Sequence, residues 1–196
     1  RSKSVADATD SWTVTAPGAW TAMSNTGALA ARHSHAAAWT GREFIVWGGW
    51  DNVSTVYGDG ARYDPVTDAW TAVAASGAPT ARSGVAWAWT GRALVIWGGE
   101  NSGVFAGDGA AYNPANNAWS APLSTTNAPG ARSYMESAWT GREMIVWGGN
   151  SAAGDLNTGA RYDPQADAWT TMSATNGAGA PSPRKNPTAA WTGKEF

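Results

Sequence analysis

Catalysis needs convergent titratable or nucleophilic side chains, and this chain of 196 residues carries few of them. There is no cysteine, which excludes thiol nucleophiles, disulfides and thiolate-held metals. The two histidines, His33 and His35, stand two apart. On one strand that spacing points both rings to the same face, where His-x-His can supply two metal ligands. A third ligand is missing, since no Asp, Glu or further His adjoins them in the sequence. The pair therefore reads as strand or loop-mouth residues, and neither a metal nor any other cofactor is expected. The acids are equally unpromising. Glu43, Glu143 and Glu195 each follow a Thr-Gly pair, while Asp68 and Asp167 sit in a turn that a proline opens. Recurrence at one structural place marks turn construction. Gly-Asp-Gly at 58–60 and 107–109 has carboxylate spacing that fits neither an EF-hand nor a phosphate loop, and it reads as a turn. No residue is assigned to catalysis.

Tryptophan is the remaining signal, with 14 in all. Eleven, Trp20 among them, fall in recurring blocks and are expected in the core or between repeats. Trp12, Trp50 and Trp87 stand outside those blocks. Trp87 lies two before Trp89, so it is expected to pack on the same strand face. Trp12 is assigned to a preceding strand. Trp50 directly follows a Gly-Gly pair, in a loop, where an aromatic ring can stack on a sugar or anchor a partner protein.

The elements that must position these residues are set by a repeat. Ala-Trp-Thr-Gly followed by Arg or Lys occurs at 38–42, 88–92, 138–142 and 190–194. Trp-Gly-Gly follows at 47–49, 97–99 and 147–149, then Gly-Ala-x-Tyr-x-Pro at 60–65, 109–114 and 159–164. Asp or Asn, then Ala-Trp, closes each unit at 68–70, 117–119 and 167–169. Each unit reads as four strands. Residues 33–39 form the first, Thr40-Gly41 a tight turn, and 42–47 a second strand whose Phe-Ile-Val-Trp run implies burial on both faces. A third strand at 60–64 is stopped by Pro65, and Trp70 opens an alternating outer strand. Such a sheet cannot bury itself alone. Radial stacking of sheets solves this, which predicts an all-β propeller.

The double glycine after an apolar strand, followed by Tyr and then Trp seven later (Tyr63/Trp70, Tyr112/Trp119, Tyr162/Trp169), resembles the kelch repeat. The Trp-Thr-Gly-Arg phrasing resembles the bacterial kelch variety. The resemblance covers roughly residues 18–196 and implies three complete blades at 32–81, 82–131 and 132–183. Residues 1–31 would hold the outer strand of a preceding blade, at 18–23, and 184–196 the start of a further one. Rings of this kind hold more than three blades, so the chain is expected to be part of a larger ring, its open strand edges a route to self-association. Arg32, Arg82, Arg132 and Arg184 open the inner strands and are expected to tie neighbouring blades through backbone carbonyls.

The resemblance also implies a ligand face made of the loops after each Gly-Gly and of the residues just after each opening arginine. The corresponding positions here are His33, Ser34, Ser83, Gly84, Ser133, Tyr134, Lys185 and Asn186, joined by Trp50, Asp51, Glu100, Asn101 and Asn150. They differ between units, as surface residues free of fold constraints do. The expectation is a non-catalytic module that binds a protein or glycan ligand. The alternatives are part of a carbohydrate-active propeller enzyme with its catalytic residues elsewhere, or a structural surface domain. Charged residues are only 14% of the chain and the net charge is −2, which gives no field for nucleic acid. No apolar run reaches the length of a membrane span. Low charge with much Thr, Ser and Gly suggests an extracellular or periplasmic bacterial protein.

Overall fold

The computed structural model describes residues 21–172 and 181–196, so the expectations for Trp12 and Trp20 lie outside the described residues. Strand β1 (Ala36–Trp39) pairs antiparallel with β2 (Phe44–Trp47), which pairs with β3 (Gly60–Asp64), which pairs with β4 (Ala69–Ala72). The second sheet repeats the order with β5 (Ala86–Trp89) and β6 (Leu94–Trp97). A small hairpin follows, β7 (Glu100–Asn101) with β8 (Val104–Phe105), before β9 (Gly109–Asn113) and β10 (Ala118–Trp119) complete the sheet. The third runs β11 (Glu136–Trp139), β12 (Met144–Trp147), a hairpin of β13 (Asn150–Ser151) and β14 (Gly154–Asp155), then β15 (Gly159–Asp163) and β16 (Ala168–Thr171). The inner strands β1, β5 and β11 adjoin one another in that order, as radially stacked blades require. No helix among the described residues is long and apolar enough to cross a membrane.

Local chemistry explains the strand ends. In the first turn the Thr40 hydroxyl accepts from the backbone N–H of Arg42 (3.2 Å) and Glu43 (2.8 Å), while Gly41 takes φ 95°. Thr90, Thr140 and Thr192 build the same turn. In the proline turn, Asp64 Oδ1 accepts from Val66 N–H at 2.8 Å, and Asn113 and Asp163 cap their own turns alike.

The core lies between blades. Trp47 and Trp97 are fully buried, and each meets a tryptophan of the next blade: Trp47 to Trp119 at 5.4 Å and Trp97 to Trp169 at 5.2 Å between ring centroids. Tyr63 faces Trp70 across β3 and β4, and the Tyr112/Trp119 and Tyr162/Trp169 pairs repeat it. Each outer edge is also latched to the linker before it. Trp119 Nε1 donates to Ala74 O (2.8 Å), and Asn117 Oδ1 accepts from Ala74 N–H (2.9 Å) and from the Tyr112 hydroxyl (2.6 Å). Trp169 and Asp167 hold Ser124 in the same way, and Trp70 and Asp68 hold Ser24. Ser24 thus occupies the place that Ala74 and Ser124 occupy behind an outer strand.

The expectations for the first strand, for Trp39 and for the opening arginines need correction. The first strand begins at Ala36 rather than 33, because Ser34 takes a left-handed conformation (φ 54°) that no strand accommodates. Trp39 is not a core residue. It is 52% exposed, whereas Trp89 and Trp139 at the same register pack against the clusters between blades. The arginine side chains bind within their own blade: Arg82 Nη1 reaches Gly98 O and Asp108 O (both 3.2 Å), and Arg132 Nη1 reaches Gly148 O (3.0 Å) and Thr158 O (2.8 Å). The tie between blades is made by arginine backbone instead, with Gly49 N–H on Arg82 O, Gly99 N–H on Arg132 O and Gly149 N–H on Arg184 O, each 2.9 Å.

A candidate binding face at the mouth of the blades

The face is built at the Gly-Gly end of the second strands. Gly49 (φ 101°) ends the run from β2 where a Cβ would stand 2.7 Å from His33 O, so only glycine lets the chain pass that close. The next residue then bridges back to the start of the blade: Trp50 to His33, Glu100 to Ser83 and Asn150 to Ser133. Backbone groups alone make these bridges, with N–H to O distances of 2.8–3.0 Å. A second backbone chain links the blades. Gly84 N–H donates to Ser34 O (2.9 Å), Tyr134 N–H to Gly84 O (2.8 Å) and Asn186 N–H to Tyr134 O (2.8 Å). All four residues are left-handed, with φ of 54°, 63°, 52° and 48° in chain order. That conformation is uncommon for tyrosine, and the hydrogen bonds on both sides of Tyr134 hold it there.

The sequence-derived site residues divide into three groups. Ser83 and Ser133 are fully buried, because their bridges bring the Gly-Gly backbone over them; they support the face and do not line it. Asp51, Glu100 and Asn150 shape their own loops, and Asn101 ties its loop to the segment that opens the blade. Asp51 Oδ1 accepts from the N–H groups of Val53, Ser54 and Thr55 at 2.8–3.0 Å, and these amides, Thr55 first, lower its pKa to about 2. Glu100 Oε2 accepts from Gly103 N–H, Asn101 Nδ2 donates to Ala81 O, and Asn150 Nδ2 donates to Asp155 Oδ1. The third group is presented outward. His33 is exposed, its ring 5.3 Å from that of half-buried Trp50, and its Nδ1 lies 2.9 Å from the Ser34 hydroxyl. Tyr134 is half-buried over Gly84, its hydroxyl 3.4 Å from Glu100 Oε1, and burial raises its phenol pKa. Lys185 is exposed on residues 184–186, which follow the path of the earlier openings.

His33 and His35 do not share a face. The left-handed turn at Ser34 leaves His33 outside with Trp50 and turns His35 inward against Gly49, with its Nδ1 buried and without a partner among the described residues. Burial, and then the Arg32 charge, lower the pKa of His35. No group of three metal-ligating side chains occurs among the described residues.

Sequence reasoning missed two kinds of residue. Asp59 and Asp108, read as turn residues, anchor the opening arginines: Asp59 Oδ1 to Arg32 Nη1 at 2.7 Å and Asp108 Oδ1 to Arg82 Nη1 at 2.8 Å. Their shared place in the Gly-Asp-Gly blocks was the available signal. Glu136 lies on an inner strand where Ala36 and Ala86 stand in the other blades, and burial raises its pKa. Aligning the three inner strands would have singled it out.

A family model described as the KLHDC2/KLHL20/DRC7 Kelch-repeats domain matches residues 7–196. No curated protein sequence matches the chain.

Proposed function

Since the chain belongs to the kelch-repeat family, whose repeat domains generally mediate protein–protein interaction, we propose that it is a non-catalytic protein-binding module and that its ligand sits at the mouth of the blades. The observation that carries this reading is the division of labour at the mouth. Backbone bonds hold the positions after Gly-Gly and those after the opening arginines, so the side chains are free to differ, and the outward ones include two large aromatics. Trp50 beside His33, and Tyr134 above Gly84, offer rigid amphipathic surface of the kind that anchors protein interfaces. Beside Tyr134 stand the Glu100 carboxylate, 3.4 Å from its hydroxyl, and exposed Lys185, which precedes the Asn186 that bonds to Tyr134 O.

The test is a peptide selected on the chain from a displayed random library and titrated by calorimetry. Trp50→Ala and Tyr134→Ala should each weaken it about 30-fold, the usual cost of losing an aromatic hot spot. Equal affinity for wild type and the double variant would show that the ligand sits elsewhere.

A further inference from the structure

The opposite end of the strands carries a groove whose lining shares no residue with the mouth. Strand β2 runs from the Thr-Gly turn to the Gly-Gly pair, so the Thr-Gly turns and the proline turns lie away from the mouth. Between the first and second blades they enclose a groove of about 650 Å³ lined by Arg42, Glu43, Arg62, Trp89, Arg92 and Pro114, with neighbouring turn residues.

Beside this groove the second blade departs from the repeat at three registered positions. In the first and third blades the turn arginine meets an aspartate: Arg42 with Asp64 (3.3 Å) and Arg142 with Asp163 (3.1 Å). A second arginine meets the turn glutamate: Arg62 with Glu43 (3.3 Å) and Arg161 with Glu143 (3.1 Å). In the second blade the aspartate is Asn113, the glutamate is Ala93 and the second arginine is Ala111. Asn113 keeps the turn, since its Oδ1 still caps Ala115 N–H at 3.0 Å, and it drops only the charge. Arg92 is left without a carboxylate partner among the described residues. Its neighbour Arg62 crosses from the first blade to donate to Pro114 O (2.7 Å), and Arg62 Nε is buried with no partner among the described residues. Since Arg42 and Arg62 have carboxylates of their own, the groove holds one uncompensated positive charge.

We propose that this groove binds a side-chain carboxylate of an acidic peptide segment, with Arg92 as the charged contact and Trp89 and Pro114 as an apolar wall. One free cation beside aromatic and proline surface matches one carboxylate flanked by apolar side chains. Polyanions such as sulfated glycans draw affinity from several cations at once.

A fluorescent hexapeptide of alternating Glu and Leu, acetylated and amidated so that only side chains carry charge, is titrated against the chain by anisotropy. Saturable binding is expected, weakened about tenfold by Arg92→Ala and by Asn113→Asp, which returns the missing carboxylate to Arg92. The Gln-Leu analogue should not bind, and Trp50→Ala should leave binding unchanged, which separates this site from the mouth. Asn113→Asp installs the residue of both flanking blades, so its thermal midpoint should match wild type. Unchanged affinity in either groove variant overturns the proposal, and so does tighter binding of a sulfated hexasaccharide that depends on Arg92.

Discussion

The outer edges of the blades and their mouths follow opposite rules on one frame. At the outer edge side chains make the contacts, and the residue types recur: Tyr63, Tyr112 and Tyr162 donate to Asp68, Asn117 and Asp167, and Trp70, Trp119 and Trp169 hold the preceding linker. Even the backbone recurs, with φ of 50°, 50° and 47° at the three acceptors. At the mouth backbone makes the contacts, and the bridged positions carry His, Ser and Ser opposite Trp, Glu and Asn. Where a side chain is the fastener it cannot change without loosening the blade. Where the peptide group is the fastener the side chain is available for recognition.

Substitutions at the two regions should therefore separate stability from binding. Trp169→Ala removes a buried indole, its stack on Trp97 and Tyr162 and its bond to Ser124, and should cost about 3–5 kcal/mol in chemical denaturation. A loss under about 1 kcal/mol would mean the outer edge is not the fastener. Gly109→Ala drives a methyl into the Ile96 carbonyl and should cost about 1–3 kcal/mol, more than Gly141→Ala, whose site has open space and only an unfavourable φ. Trp50→Ala, by contrast, should change stability by less than about 1 kcal/mol while weakening the mouth peptide about 30-fold, because the Trp50 bridge is backbone.

A smaller test concerns the opening arginines. Arg82 has the Asp108 carboxylate, but Arg132 has Thr158 in that place, and burial lowers the Arg132 pKa to about 10. Thr158→Asp should stabilise the third blade by about 0.5 kcal/mol, a modest gain because the matching Asp108 side chain is 54% exposed and screened. Destabilisation would mean that the carbonyl cage prefers a neutral neighbour.

The smallest effect should be a pH dependence at His35. Its folded pKa lies below the unfolded value of 6.5, so its contribution is present above pH 6.5 and is lost as pH falls through the folded value. Thermal midpoints measured from pH 7.5 to 5 should decline in wild type and decline less in His35→Phe. Parallel curves would show that His35 is hydrated in the folded protein.

The propeller architecture was legible in the sequence because each blade repeats its own short-range instructions. Thr-Gly makes the first turn, Asp or Asn with Pro makes the second, and a Tyr–Trp spacing of seven places the pair opposite one another across that turn. Local hydrogen bonds and alternation determine all of these. The site was only partly legible. The position of Trp50 after Gly-Gly pointed to the mouth, but the burial of Ser83 and Ser133 depends on backbone brought over them from about 16 residues away. The separation of His33 from His35 turns on one left-handed residue, Ser34, held by a hydrogen bond from the next blade. Arg92 lacks a carboxylate partner among the described residues because Asn113 and Ala93 stand at positions of its own blade where the other two carry Asp and Glu. Only the packing of neighbouring blades, however, sets it in a groove with Arg42 and Arg62. Periodicity along the chain sets strands and turns, because those interactions are local. Which side chains are covered, paired or presented was decided by how one blade lies against the next.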